Sequence, residues 1–143
     1  MGVNLTTGEI AYFDKYYFTD IANSKPVPHF ATVLLPTKVT GFQNSILCAV
    51  MTSRETSDKT SVSIETKDHP CLSTKTYICF KRRDYECIDD LDSKKRQPVG
   101  KLNETEVKKC WPKLKDALYA DIKLSPYTRG TIIREWKKIL PPK

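Results

Sequence analysis

Two short stretches carry side chains that could act on a phosphodiester. His29 stands where a long polar segment enters an apolar run, and an imidazole can take up and release a proton near neutral pH. Thr52, Ser53 and Arg54 follow another apolar run, and their hydroxyls and guanidinium could hold a phosphate and stabilise developing charge. Each also has a purely structural interpretation: a strand-edge histidine, and a capped polar turn.

A basic triplet and one loop lysine could hold a nucleic-acid strand. Lys81, Arg82 and Arg83 lie between Phe80 and Tyr85, and basic groups beside aromatic rings suit single-stranded nucleic acid, whose bases stack while its phosphates pair with cations. The alternative is a charged hairpin turn. Lys25 lies in the polar segment from about residue 15 to 28, which is long enough for a binding loop.

Cofactor and metal chemistry have no support in the sequence. There is no P-loop, no G-x-G-x-x-G, no G-x-S-x-G and no H-E-x-x-H motif, and the chain has 5 glycines in all. The 5 cysteines show no C-x-x-C spacing, and His69 is interpreted as a turn residue before Pro70. We therefore expect no cofactor, no metal, and reduced buried thiols in a cytoplasmic protein.

The positive charge is concentrated at the end of the chain. Residues 94–143 hold 14 Lys and Arg against 5 Asp and Glu, whereas residues 1–93 hold 10 against 12. Phosphate backbones are attracted to such a surface, although a solvated helix face would show the same pattern. The apolar runs are too short for a membrane helix and the start lacks a signal-peptide pattern, so no membrane contact is expected.

The first hundred residues predict strands, which must position these side chains. Short stretches alternate apolar and polar residues, or are apolar throughout, with turn residues between them. The predicted strands are 8–14, 29–35, 44–52, 61–65, 76–80 and 85–89. This spacing, without helical patterns in between, indicates a small barrel or sandwich over residues 1–100, with a charged connector after residue 89.

Residues 101–143 predict two helical segments that pack on the same domain. Asn103 followed by Glu106 is a helix-start pattern, and Ser125-Pro126 is a second one. Pro112 falls inside the first pattern and is expected to kink or restart that helix. Trp111 and Trp136 lie on the apolar faces and are predicted core residues.

The order of these segments resembles the MazF/PemK toxin family. The stretch Gly8–Asp14 is similar to its Gly-acidic-apolar first strand, and Ala49–Ser53 is similar to its Pro-x-Thr-Ser strand ending without the proline. His29–Leu35, Leu72–Tyr77 and Gly100–Leu102 are similar to later family segments in the same order. The resemblance covers roughly residues 8 to 120 and rests on order and spacing rather than on one specific motif.

The resemblance implies an SH3-like small barrel followed by two α-helical segments. It also implies a homodimer that cleaves single-stranded RNA without a metal, through attack of the 2′-hydroxyl on phosphorus, and an antitoxin protein that blocks the RNA groove. Thr52 and Ser53 match the family's catalytic strand ending. The family's Arg-Pro pair before the second strand stands here as His29-Phe30, so His29 would replace the Arg as acid, or Lys25 would supply its charge.

On this hypothesis His29, Thr52 and Ser53 are catalytic, and the cations that bind RNA are Lys25, Arg54, Lys81, Arg82 and Arg83. Two alternatives remain open. The barrel could be an inactive SH3-like module that binds nucleic acid or a protein partner. It could also be a pure interaction module whose last helix docks elsewhere.

Overall fold

The computed structural model describes residues 5–16, 27–36, 45–53, 59–87 and 98–141, with the backbone alone for residues 14–16, 27–28 and 85–87. The strands are β1 (Glu9–Tyr16), β2 (Val27–Leu35), β3 (Ser45–Thr52), β4 (Ser61–Ile64), β5 (Thr76–Cys87) and β6 (Pro98–Lys101). The helices are a 3₁₀ turn (Thr66–Asp68), α1 (Glu104–Ala120) and α2 (Pro126–Ile139).

The strands form one antiparallel sheet in the order β4-β5-β3-β2-β1-β6. The central strands β2 and β3 carry the most apolar sequences, since a strand paired on both edges and covered on both faces needs few polar side chains. The prediction of a mainly β fold that ends in two helices is confirmed.

The predicted division into two strands, 76–80 and 85–89, is wrong, and so is the alternative of a hairpin turn at Lys81–Arg83. Residues 76–87 are one strand, because β3 pairs with both of its halves: Val50 faces Cys79 and Ala49 faces Arg83. Three residues of β5, numbers 80–82, therefore have no opposite residue on β3, and the basic triplet begins inside this bulge rather than in a turn. A bulge leaves residues unpaired and bends its strand, which re-aims the side chains it carries.

The strand β6 was predicted as part of the connector. Residues 98–101 pair with β1, with Gly100 opposite Ile10. The sequence Pro-Val-Gly-Lys shows no clear alternation because β6 is at the edge of the sheet, where backbone hydrogen bonds hold it with little side-chain burial.

The two faces of the sheet carry separate apolar clusters. The helix-side core joins the sheet to both helices, with Phe80, Leu114, Ile132 and Trp136 among its fully buried members. The opposite core covers the other face and consists of Leu5, Ala11, Phe13, Ala31, Val33, Ile46, Cys48, Val50 and Cys79. Consecutive residues of a strand point to opposite faces, so the two clusters fix the side on which each strand residue lies.

Gly8 lets the chain enter β1 beneath the end of α2. Its φ of +89° is in the left-handed region, and a Cβ built there would lie 2.7 Å from Cδ1 of Ile139. The backbone angle favours glycine, because L side chains rarely adopt it, whereas Cδ1 of Ile139 is the far end of a flexible side chain that can move. The backbone conformation thus explains the glycine noted for the first strand.

Both helices begin at the predicted residues. Asn103 accepts a hydrogen bond from the backbone N–H of Glu106, and the Glu106 carboxylate accepts one from the backbone N–H of Asn103. Ser125 caps α2, with Pro126 in its first turn. The predicted restart at Pro112 is wrong, since α1 continues through it. Pro112 and Lys108, whose carbonyl loses its helical partner, are exposed, so water can satisfy that carbonyl.

Replacing Asn103 with alanine is expected to lower the free energy of unfolding by about 1 kcal/mol. The change removes the cap on the Glu106 N–H, 2.8 Å from the Asn103 side-chain oxygen. Urea denaturation would measure the loss. Asn103→Ser keeps an accepting oxygen without adding a charge beside Asp68 and Glu106, so it is the matched control, expected to stay within a few tenths of a kcal/mol of the parent. Equal losses in the two variants would contradict the capping role.

Among the described helices, none is both long and apolar enough to cross a bilayer.

Candidate functional site

His29 and Thr52 lie together on neighbouring strands. The pairing of β2 with β3 ends where Ala31 faces Val50, and His29 and Thr52 each lie two residues beyond this last pair, at the same end of the two strands. Because side chains alternate along a strand, His29 shares its face with Ala31 and Thr52 shares its face with Val50, which is the face of the opposite core. Both are half-buried. The structure thus brings together two residues predicted as catalytic.

One nitrogen of His29 is held by the backbone of β3. Nδ1 lies 2.8 Å from the carbonyl oxygen of Met51. A carbonyl oxygen can accept a hydrogen bond but not donate one, so the hydrogen of this bond is on Nδ1. In the neutral ring the lone pair is then on Nε2, and Nε2 is the nitrogen that can take up a proton. The contact therefore sets both the tautomer and the orientation of the ring.

Two residues without an assigned role complete a row across the sheet. Tyr77 of β5 is opposite Thr52 on one side and Ser63 of β4 on the other. The ammonium of Lys75 lies 5.8 Å from the centroid of the Tyr77 ring. We call His29, Thr52, Tyr77 and Ser63, with Lys75 beside them, the transverse row. It combines an imidazole, hydroxyls, an aromatic ring and a cation, which are the groups that hold a nucleotide and its phosphate.

Sequence reasoning missed Tyr77 and Lys75. Residues two apart on a strand share a face, so the pattern Lys75-Thr76-Tyr77 was sufficient to pair the ammonium with the ring. Nothing in the sequence placed either residue beside Thr52, because that requires the register of β3 against β5.

The other predicted site residues divide into three groups. Ser53 is exposed, immediately after the end of β3. Lys81 is exposed and Arg82 half-buried, both in the β5 bulge. Lys25 and Arg54 lie outside the described residues.

Arg83 has structural partners. Its side chain is buried, and Nη1 donates a hydrogen bond to the backbone oxygen of Phe80 at 2.6 Å. Nη2 pairs with the carboxylate of Asp121, in the turn between α1 and α2. Burial lowers the pKa of the Arg83 guanidinium, and Asp121 opposes that change. These contacts assign Arg83 to the attachment of the helices, while RNA binding by Lys81 and Arg82 stays a prediction.

His69 is more than the turn residue that was predicted. It is 2 % exposed, and its Nε2 lies 2.8 Å from each carboxylate oxygen of Glu106 in the first turn of α1. The same carboxylate accepts the Asn103 backbone N–H. This buried pair ties the segment before β5 to the start of α1. A contact between residues 37 positions apart leaves no local sequence pattern.

No disulfide joins Cys48, Cys71, Cys79 and Cys110, and all of these except Cys71 are buried, as predicted. Burial, together with the nearby Glu106 carboxylate, raises the pKa of the Cys110 thiol to about 12. Such a thiol stays protonated and is a poor nucleophile. In the described parts of the chain, no three His, Cys, Asp or Glu side chains are grouped so that they could hold a metal ion.

Comparison with known proteins shows that the fold is similar to that of a solved structure. Neither a protein-family model nor a curated protein sequence matches the chain. Among solved structures, the chain matches an endoribonuclease solved in complex with its cognate antitoxin from Mycobacterial species. The TM-score is 0.54 at 11% sequence identity, and the match covers 80% of this chain and 94% of that one. This sheet with its two helices is therefore a fold that a toxin endoribonuclease also has.

Proposed function

We propose that this chain is a MazF/PemK-like toxin domain, a metal-independent endoribonuclease that cleaves single-stranded RNA in the cytoplasm. The observation that carries the proposal is the contact of His29 Nδ1 with the carbonyl oxygen of Met51, the residue directly before Thr52, which orients the imidazole at the end of β3. The likeness of fold to an endoribonuclease supports it.

The reaction needs one group that exchanges protons and others that hold phosphate. Nε2 of His29 would take the proton of the 2′-hydroxyl while the 2′-oxygen forms its bond to phosphorus and the bond from phosphorus to the 5′-oxygen breaks. The leaving 5′-oxygen takes a proton from water, so the products are a 2′,3′-cyclic phosphate and a 5′-hydroxyl. The Thr52 and Ser53 hydroxyls would donate to the phosphate oxygens, where negative charge grows. Lys81 and Arg82, with Lys25 and Arg54, would guide the strand.

The family resemblance and the solved complex suggest the partners. We propose a homodimer and an antitoxin protein that covers the RNA-binding face. An antitoxin would need to cover the transverse row to prevent cleavage, so bound antitoxin should protect RNA. The antitoxin complex is a property of the matched endoribonuclease, and for this chain it belongs to the proposal.

Purified protein is expected to cleave a mixed-sequence single-stranded RNA in the presence of EDTA. The chemistry above uses side chains of the chain alone, so chelation should leave the rate unchanged. Gel analysis would follow cleavage, and mass spectrometry of the new ends would identify the cyclic phosphate and the 5′-hydroxyl. Cleavage abolished by EDTA and restored by a divalent ion, or 5′-phosphate products, would contradict the mechanism.

A second function is favoured by one observation. The pair His29-Phe30 stands where the resemblance expects Arg-Pro. Phe30 packs on Tyr12, with the ring centroids 5.0 Å apart, so the Phe30 side chain contributes to the core rather than to the site. A module that binds nucleic acid or a protein without cleaving would tolerate this change. RNA binding that weakens steeply with salt, with no strand breakage under any condition, would select this second function.

A further inference from the structure

The turn between α1 and α2 exposes an unusual set of large side chains. Of the four large apolar residues exposed in the described chain, three lie here: Tyr119 is 63% exposed, Tyr127 79% and Ile122 95%. Exposed apolar residues that occur singly need no explanation, but three within nine positions form a patch that water solvates poorly. We call residues 119–129 the helical tip.

The helical tip carries positive charge next to its aromatic rings. The guanidinium carbon of Arg129 lies 4.9 Å from the centroid of the Tyr119 ring, and Lys123 is exposed in the turn. The acidic residue of the tip, Asp121, is paired with Arg83. Its charge is thereby largely compensated, so a ligand would meet Lys123 and Arg129 as net positive groups.

The ion pair between Arg83 and Asp121 also connects the tip to the β5 bulge. Arg83 follows Lys81 and Arg82 directly, and its Nη1 bonds to the backbone oxygen of Phe80 at the start of the bulge. The same guanidinium thus holds the tip against the segment that carries the basic side chains. The tip therefore lies next to the segment that carries Lys81 and Arg82.

We propose that the helical tip is a second contact surface for single-stranded nucleic acid, on which bases stack on Tyr119 and Tyr127 while Lys123 and Arg129 pair with phosphates. It would bind the flank of a strand whose other part lies on Lys81 and Arg82. The path of the strand from the tip to Lys81 and Arg82 rests on the proposed function. The binding of nucleic acid by the tip itself does not.

Charge and ring content favour this occupant over an acidic peptide. A peptide interface needs a packed apolar centre, and within the tip the only large exposed aliphatic side chain is Ile122. The two exposed tyrosines beside it in the sequence have hydroxyl-bearing rings that suit stacking in water. Base stacking on aromatic rings combined with cations that follow a backbone is the usual basis of single-strand binding without sequence preference.

The test uses 2′-O-methyl oligonucleotides, which lack the attacking hydroxyl and so report binding whether or not the protein cleaves. Fluorescence anisotropy would compare lengths of about 6 and about 16 nucleotides, because a short strand cannot occupy both surfaces. The variants are Tyr119→Ala with Tyr127→Ala, and Lys123→Gln with Arg129→Gln. Their matched controls are Tyr119→Phe with Tyr127→Phe, which keeps the rings, and Lys113→Gln with Lys137→Gln, which removes equal charge elsewhere on the helices.

The alanine pair is expected to weaken binding of the long strand on the order of tenfold, with little change for the short one. The glutamine pair is expected to reduce the slope of log affinity against log salt by about 0.7 for each lost phosphate contact. Melting curves should show both variants folded, since every changed side chain is exposed or half-exposed.

Unchanged binding of the long strand by both tip variants would overturn the proposal, and so would an equal loss of affinity in the Lys113 and Lys137 control. A third contrary result is that the tip residues are needed to bind a poly-glutamate peptide but not to bind RNA. Cleavage of unmodified short RNA is scored separately. No cleavage by any variant, with the long-strand loss as expected, would refute the ribonuclease and retain the tip.

Discussion

His29→Ala is expected to lower the rate of RNA cleavage by about 10²- to 10⁴-fold, the usual contribution of a positioned acid or base. The Nδ1 contact with Met51 holds the ring, so the lone pair on Nε2 is presented with little reorganisation. RNA affinity should change little, because the neutral ring contributes no charge to strand binding. Single-turnover cleavage and anisotropy with a 2′-O-methyl strand would separate the two effects.

His29→Asn is the matched variant for this prediction. The asparagine amide nitrogen occupies a position close to Nδ1 and can still donate to the Met51 carbonyl, but it cannot exchange a proton. It should keep the stability of the parent and lose the activity. His29→Asn cleaving within a few-fold of the parent would remove His29 from the mechanism.

Thr52 offers a second readout of the same site. Thr52→Val keeps the shape of the side chain and removes the hydroxyl, so a loss in rate with unchanged stability would report phosphate stabilisation. The two residues act on one reaction, and the double variant should lose less than the product of the single losses.

The parts of the fold that the sequence predicted are those specified locally. Alternation located five of the six strands, and the capping residues Asn103 and Ser125 located both helix starts, because each pattern lies within a few neighbouring residues. The edge strand β6 and the continuity of β5 were not predicted. Both depend on pairing with distant strands, β1 and β3, which the local sequence does not encode.

The candidate site likewise has residues that the local sequence predicted and residues that it did not. His29 and Thr52 were predicted from their types at strand ends, whereas their position at the same end of two paired strands follows from the register of β2 and β3. Tyr77 and His69 looked like an ordinary strand residue and a turn residue. Their partners, Thr52 and Glu106, come from other elements, so their roles became visible through tertiary contacts alone.

The two tryptophans offer a measurable difference between what local sequence predicts and what tertiary packing decides. Both were predicted as core residues from helical spacing, yet Trp136 is fully buried while Trp111 is half-exposed, with the Lys115 ammonium 5.0 Å from its ring. Trp136→Ala is expected to lower the free energy of unfolding by about 3 to 5 kcal/mol, since it removes a large apolar surface and leaves a cavity. Trp111→Ala should lose about 1 kcal/mol. Urea denaturation would measure both.

The cavity would open beneath the β5 bulge. The Trp136 ring meets the Phe80 ring edge to face, with centroids 6.0 Å apart, and its Nε1 lies 3.4 Å from the Val107 carbonyl oxygen of α1. Phe80 is the first bulge residue, directly before Lys81. Loss of the ring should therefore loosen the segment that presents the basic side chains, in addition to lowering global stability.

The consequences for function should differ on the two faces of the sheet. Trp136 belongs to the helix-side core, whereas His29 and Thr52 lie on the face of the opposite core. Under conditions where Trp136→Phe, which keeps an aromatic ring, is still folded, affinity for a long strand should fall more than the cleavage rate of a short one. Equal losses of both would mean that the two faces respond as one unit, and that the bulge does not bind RNA independently of the transverse row.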